Sequence, residues 1–397
     1  MTEARSQYLW YMSGIVAYVA PIGIQTILLP WLVAVELQES AARLGIVQMM
    51  TQLPGLFLIL IGGLVADRID ARKILMTLHG LAAVPAATVA VFLYTGNLSY
   101  GLLIFYALAM GVINAFINPA RDGMLNRIAG EQLQRTVTVA MGLQFGAQLI
   151  GFTAARAADS VGAVPLLALQ SGILLSGVFA MSRLNPAPPK VVVEDTSRLH
   201  QITRGISIVW HSDVMRPAIL MLSCMSFFYG GTFMVLNPLI VRDIYQGSAA
   251  EISLSFSVFV VGTVTATVMM VSLGGIRRHG RALTLAIVIG GAFLSINLHD
   301  LPFWGYLASI CGWGMCGGVA MSMSRTIMQE AAPEEMRARV LAVFTLSNTG
   351  GMPLGALMLG YLAQYFGVIN ALAFVVVGIW AVSLIIWQFT SLREIGD

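Results

Sequence analysis

The densest set of groups able to do chemistry is a run of glycines and charges, Gly62-Gly63-Leu64-Val65-Ala66-Asp67-Arg68-Ile69-Asp70-Ala71-Arg72-Lys73. A glycine pair at a helix end admits close approach of a neighbouring helix. Asp67, four residues after Gly63, can face the positive N-terminal end of another helix, while Arg68, Arg72 and Lys73 stay in a charged surface layer. Such a cluster suits a latch that forms and releases. A second set is uncharged: Asn114 and Asn118 share a helical face with Arg121 at i, i+4 and i+7, and Gln144 with Gln148 is an i, i+4 pair. Asp122 directly follows Arg121. Bond-making chemistry finds less support. The five histidines are scattered, mostly near the ends of apolar runs, with no His-x3-His spacing, and no phosphate-binding Gly-x4-Gly-Lys-Ser/Thr run occurs. Cys224, Cys311 and Cys316 lie inside apolar runs and read as small packing residues. No catalytic residue, metal or cofactor is expected.

The elements that must hold these groups follow from composition. Of 397 residues, 57% are hydrophobic and 10% charged, and mean hydropathy is +0.81. Ordinary soluble domains carry roughly 25% charged residues, so lipid must be the solvent for most side chains here. Apolar stretches of about 20 residues recur along the chain, long enough to cross a bilayer as helices. Twelve spans are predicted. Six lie near 9–36, 42–66, 74–95, 99–121, 134–158 and 162–182; six more lie near 214–243, 250–275, 281–298, 302–325, 337–365 and 368–390. The first run is too long for a signal-peptide core and lacks a clear cleavage site, so it counts as a span.

Between the sets lies one polar stretch that opens with Pro186, Pro188 and Pro189 and then spaces Leu199, Ile202, Ile206 and Val209 as an amphipathic helix, expected to lie on the membrane surface. The predicted organisation is therefore an N-terminal six-helix bundle (1–183), a cytoplasmic linker (184–213) and a C-terminal six-helix bundle (214–397). With both termini cytoplasmic, all but Arg43, Arg156 and Arg242 of the 22 basic residues fall on the inner side, as the positive-inside rule requires.

The halves repeat each other. Gln38-Glu39-Ser40-Ala41-Ala42 is matched by Gln246-Gly247-Ser248-Ala249-Ala250 at an offset of 208, as are Pro30 and Val33 by Pro238 and Val241. Arg121, Arg135, Gly146 and Gly151 are matched by Arg325, Arg339, Gly350 and Gly355 at an offset of 204. Duplicated helical bundles typify secondary transporters, with the solute site between repeats.

With these motifs in view, the chain resembles the major facilitator superfamily. Gly63, Asp67, Arg68, Arg72 and Lys73 fill that family's loop between spans two and three, although Ala71 stands where a basic residue is usual. The second copy, around Gly274-Gly275, has lost the acid. Asn118-Pro119-Ala120-Arg121, the run from Ala332 to Val340 and the following Gly350, Gly351 and Pro353-Leu354-Gly355 are similar to the enterobactin-exporter and macrolide-efflux branch.

The resemblance implies a gating set of Gly63, Asp67, Arg68, Arg72, Arg121, Asp122 and Arg325. It also implies a substrate cavity lined from Gln25, Asn114, Asn118, Gln144, Tyr229, Asn237, Trp313 and Asn348. It implies a monomeric inner-membrane antiporter that exports a siderophore- or drug-like amphipathic small molecule by alternating access, with protons as a candidate coupling ion and no nucleic-acid partner. Every acidic residue lies near a span end or in a loop, which favours a neutral or amphipathic solute over strongly electrogenic proton exchange. The alternative reading is a non-transporting membrane sensor or an intramembrane enzyme on a transporter fold.

Overall fold

The computed structural model describes residues 3–187, 198–272, 276–390 and 392; the side chains of residues 59, 60, 64, 67, 131, 133, 198–202 and 338 are not described. Among the described residues the chain is helical and contains no strand. Six helices precede the linker: α1 Glu3–Trp31, α2 Ala41–Arg68, α3 Ala71–Tyr94, α4 Tyr100–Ala129, α5 Leu133–Ala155 and α6 Ala163–Ser182. The linker helix is α7, Arg198–Trp210. Six more follow: α8 Met215–Asp243, α9 Ala249–Ser272, α10 His279–Ile296, α11 Phe303–Ala331, α12 Arg337–Phe366 and α13 Val368–Phe389. Eleven of these are long and apolar enough to cross a membrane among the described residues; α2, with 28 residues, fills the remaining place in the series.

Two compact units emerge. Unit 1 comprises Met1–Glu39, Met50–Glu194 and Gly247–Leu254; unit 2 comprises Ser40–Met49, Asp195–Gln246 and Ser255–Asp397. A plain cut of the chain at the linker would not produce them. The first turns of α2 belong to unit 2 and those of α9 to unit 1.

The sequence repeat is written into the backbone. Gln38 and Gln246, equivalent at the 208 offset, both take the left-handed conformation, with φ of 50° and 52°. That geometry is uncommon outside glycine, and it reverses the chain between spans at the same point of each half. Helix crossings repeat as well. In unit 1, α1 and α5 meet where Gly23 and Gly151 leave no room for a methyl group; in unit 2, α8 and α12 meet the same way at Gly231 and Gly355. The offsets, 208 and 204, are those of the sequence matches. Small residues at such crossings let helix backbones touch where lipid provides no hydrophobic drive for association.

The linker helix, whose pattern suggests a membrane-surface position, packs one face on unit 2. Val209, 2% exposed, joins Met215, Ile219, Leu222, Met328, Val340 and Phe344 in one core of unit 2, and Gly205 packs against the backbone of Arg339 in α12. The Val209 face is covered by neighbouring helices, while Ile206 and Trp210 remain exposed. Leu199 and Ile202 lie outside the described side chains.

Candidate functional site

The charged run at the end of α2 is held by α3 and α6. Asp70 caps α3, its Oδ1 accepting from the Arg72 backbone N–H at 2.9 Å and from that of Ala187 at 3.1 Å. Arg72 donates from its guanidinium to the Ser182 carbonyl at 2.5 Å, at the negative C-terminal end of α6. The Arg72 partner seen is thus a helix end. Arg72 Nε is buried without a partner. Gly62 carries the close contact expected of the glycine pair: a Cβ there would collide with the Ala115 carbonyl of α4. Gly63 beside it is half-buried and Arg68 exposed; the Asp67 side chain lies outside the described residues. Asp122 and Arg325 are exposed, whereas Arg121 is half-buried, so the paired arginines occupy unlike surroundings.

Arg121 borders a polar core that the sequence only partly announced. Tyr11, Tyr18, His79 and Arg121 surround a small crevice with Gly14, Ile117 and Met181. Tyr18 donates to Asn114 Oδ1 at 2.7 Å, and Tyr11 to the Arg121 carbonyl at 2.8 Å. His79 is 2% exposed, in the body of α3 and not at a span end. Its Nδ1 lies 2.7 Å from the Leu75 carbonyl and its Nε2 3.3 Å from that of Gly14. The ring fits because it lies over Gly177, where any side chain would strike it. Gln25 is buried with Oε1 unpartnered. Asn118 is exposed and Gln144 half-buried.

Unit 2 is built differently. Phe233 lies with its ring centroid 4.4 Å from Phe256 and 4.7 Å from Phe259; Trp313 stands 4.8 Å from Phe259 and 5.6 Å from Tyr229. Trp313 and Tyr229 are buried in this cluster, and Phe233 and Phe259 are half-buried. Tyr229 donates to the Ile287 carbonyl at 2.5 Å. Asn237 is 1% exposed; its Oδ1 accepts from Tyr306 at 2.5 Å, while Nδ2 has no partner. Asn348 is half-buried, and its backbone carbonyl accepts from Ser226. Both α1 and α8 leave regular α-geometry near their equivalent prolines: a π-turn covers Leu32–Glu36 after Pro30, and two cover Ser226–Gly230 and Thr232–Leu236 before Pro238. Proline cannot donate to the helix ladder, and π-turns recur at functional sites.

A family model described as the Major Facilitator Superfamily matches residues 11–352 and 219–394. The chain belongs to the Major Facilitator Superfamily. Among its relatives, the multidrug efflux pump Tap of Mycolicibacterium fortuitum is 26% identical over 87% of this chain and 86% of its own length. The staphyloferrin A transporter of Staphylococcus aureus is 20% identical over 84% and 83%. The enterobactin exporter EntS of Shigella boydii is 31% identical over a shorter stretch, 32% of this chain and 30% of its own. The crystal structure of the nucleoside transporter NupG has a TM-score of 0.75 at 13% identity, covering 98% of this chain and 99% of that one. A bacterial homologue of the lysosomal transporter Spinster, inward-facing and unoccupied, reaches 0.72 at 11% identity over 98% and 97%. The fold is therefore the major facilitator fold, and the chain is a multi-pass membrane transporter by family.

One residue went unremarked in the sequence. Asp159, in the turn Ala158–Val161 after α5, accepts from Ser248 Oγ at 2.5 Å and from the backbone N–H groups of Ala249 at 3.1 Å and Ala250 at 2.8 Å. A carboxylate on the free N–H groups of a helix start is a strong cap. Trp31 Nε1 donates to the same Ser248 hydroxyl at 2.8 Å. All of these residues belong to unit 1.

Proposed function

We propose that this superfamily member exports an amphipathic small molecule of siderophore- or drug-like character across the inner membrane by alternating access. It acts as a monomer with both termini cytoplasmic, and its work is transport with no bond chemistry. The observation that carries the reading is a pair of buried, unpartnered amide atoms, Gln25 Oε1 in unit 1 and Asn237 Nδ2 in unit 2, each on a helix broken by π-geometry. A buried polar atom without a partner costs about 1–3 kcal/mol, a cost that a solute offering a donor removes at Gln25 and one offering an acceptor removes at Asn237. The half-buried rings of Phe233 and Phe259 suit the apolar part of such a solute, with Asn114, Asn118, Gln144, Tyr229, Trp313 and Asn348 as further wall residues. The names of the relatives, a multidrug efflux pump and two siderophore transporters, favour the same class of cargo.

In this reading Gly63, Asp67, Arg68, Arg72, Arg121, Asp122 and Arg325 form the inner gate. Asp159, which caps the start of α9 within unit 1, is the candidate latch on the outer side. Protons are the coupling ion to be tested. The experiment is accumulation of labelled siderophores and amphipathic dyes in cells lacking or overexpressing the protein, with and without a protonophore. Lower accumulation on overexpression, reversed by the protonophore, is expected; equal accumulation in every arm across the panel would remove the export reading.

A further inference from the structure

Away from the residues above, α10 and α13 of unit 2 enclose a groove of about 390 Å³ lined by Thr284, Leu285, Val288, Trp380, Leu384 and Trp387, with Ser383 at its floor. We propose that this groove binds an anionic phospholipid of the cytoplasmic leaflet, its acyl chain between the two tryptophans and its headgroup on Arg277, Arg278 and Arg281.

The wall is hydrocarbon by construction. The Thr284 hydroxyl turns back to the Gly280 carbonyl at 3.1 Å, the Ser383 hydroxyl to the Met221 sulfur at 3.9 Å, and Trp380 Nε1 to the Val288 carbonyl at 3.0 Å. What enters must be apolar there. The rims, Leu285 and Leu384, are each 56% exposed on helices that span the bilayer, so the groove opens toward acyl chains. Trp380 to Trp387 is about 10 Å of helix, and Trp387 stands in the last turn of α13, at the depth where tryptophans meet headgroups.

The basic end supplies the selectivity. Arg281 shares a helix face with Thr284 and Leu285 at i+3 and i+4, and helical side chains lean toward the N-terminus, which carries its guanidinium away from the groove and into the headgroup layer. Arg277 and Arg278, both exposed, precede α10. Among nearby groups, Glu330 lies 3.2 Å from His279. Basic pockets between spanning helices on the cytoplasmic side suit anionic headgroups. The choice of leaflet rests on the orientation proposed above; the site itself does not depend on cargo or direction of transport.

Tryptophan fluorescence tests it. The full chain is placed in phosphatidylcholine nanodiscs holding a minor fraction of dibrominated lipid, either phosphatidylglycerol or phosphatidylcholine. The Trp387 contribution is read as the difference between wild type and Trp387→Phe. Brominated phosphatidylglycerol is expected to reach half-quenching at a concentration roughly fivefold lower than brominated phosphatidylcholine, the factor matching one basic side chain at an anionic surface. The Arg277→Gln/Arg278→Gln/Arg281→Gln variant should abolish that preference while still being quenched. Equal quenching of wild type by both lipids overturns the proposal without recourse to any variant. So does preference retained in the arginine variant, or loss of quenching on self-association, which would assign the groove to a second copy. Quenching needs no transport, so its failure and a failure of export are separable.

Discussion

The two units use the same helix crossings to enclose different interiors. Around α1, α3 and α4 of unit 1 the buried groups are joined by hydrogen bonds, Tyr18 to Asn114 and Tyr11 to the Arg121 carbonyl, with His79 between the Leu75 and Gly14 carbonyls. Around α8, α9 and α11 of unit 2, by contrast, Tyr229, Phe233, Phe256, Phe259 and Trp313 pack ring on ring. At the 208 offset Gln25 corresponds to Phe233, and at 204 Asn114 corresponds to Gly318. Duplication preserved the crossings, where glycine is obligatory, and let the linings diverge. On the proposed reading, polar groups in one repeat and aromatic groups in the other suit an amphipathic cargo.

The comparison breaks most readily at the aromatic wall. Trp313→Ala should cost about 3–5 kcal/mol, the usual loss for a large buried ring, seen as a lower unfolding midpoint in detergent. Tyr18→Phe should cost far less, so equal effects would erase the contrast between the units. The shared crossings come next. Gly151→Ala and Gly355→Ala should each destabilise by about 1–3 kcal/mol through forced backbone shifts, and loss at only one of them would deny their equivalence. Asp159→Ala removes a cap worth about 1 kcal/mol and should weaken one conformation of the transport cycle. Hydrogen exchange at Ala249 and Ala250 reads that change, which should have no counterpart at Ala41 and Ala42. The smallest effect is Tyr18→Phe itself, about 0.6 kcal/mol for a hydrogen bond within a membrane bundle, measured by the same midpoint.

Much of the fold was legible because its causes are local or periodic. Apolar length set the spans, and the repeat matches at Gln38 and Gln246 and at Gly151 and Gly355 fall on backbone features the two halves share, although the matches alone did not say that these are left-handed turns and helix crossings. The site was legible only in part. Asn237 and Gln25 stood out because a polar side chain in an apolar helix is costly and therefore conspicuous, and both are buried. His79 was passed over, since the glycine that admits its ring, Gly177, is nearly a hundred residues away in sequence. Phe233, Phe256 and Phe259 look like ordinary lipid-facing residues until two helices, α8 and α9, bring them together. Asp159 reads as a loop acid until the α9 terminus meets it, and the π-turns of α8 carry no periodic signature that an α-helical pattern would reveal.

The most direct measurement is solute flux in proteoliposomes holding wild type, Gln25→Leu or Asn237→Leu protein, over a panel of siderophores and amphipathic dyes. Wild-type protein should move at least one solute, and each single variant should cut that flux roughly tenfold, the loss expected for one or more kcal/mol of binding at a buried amide, with insertion and fold retained. Wild-type flux in both variants would contradict a solute pathway that uses these buried amides.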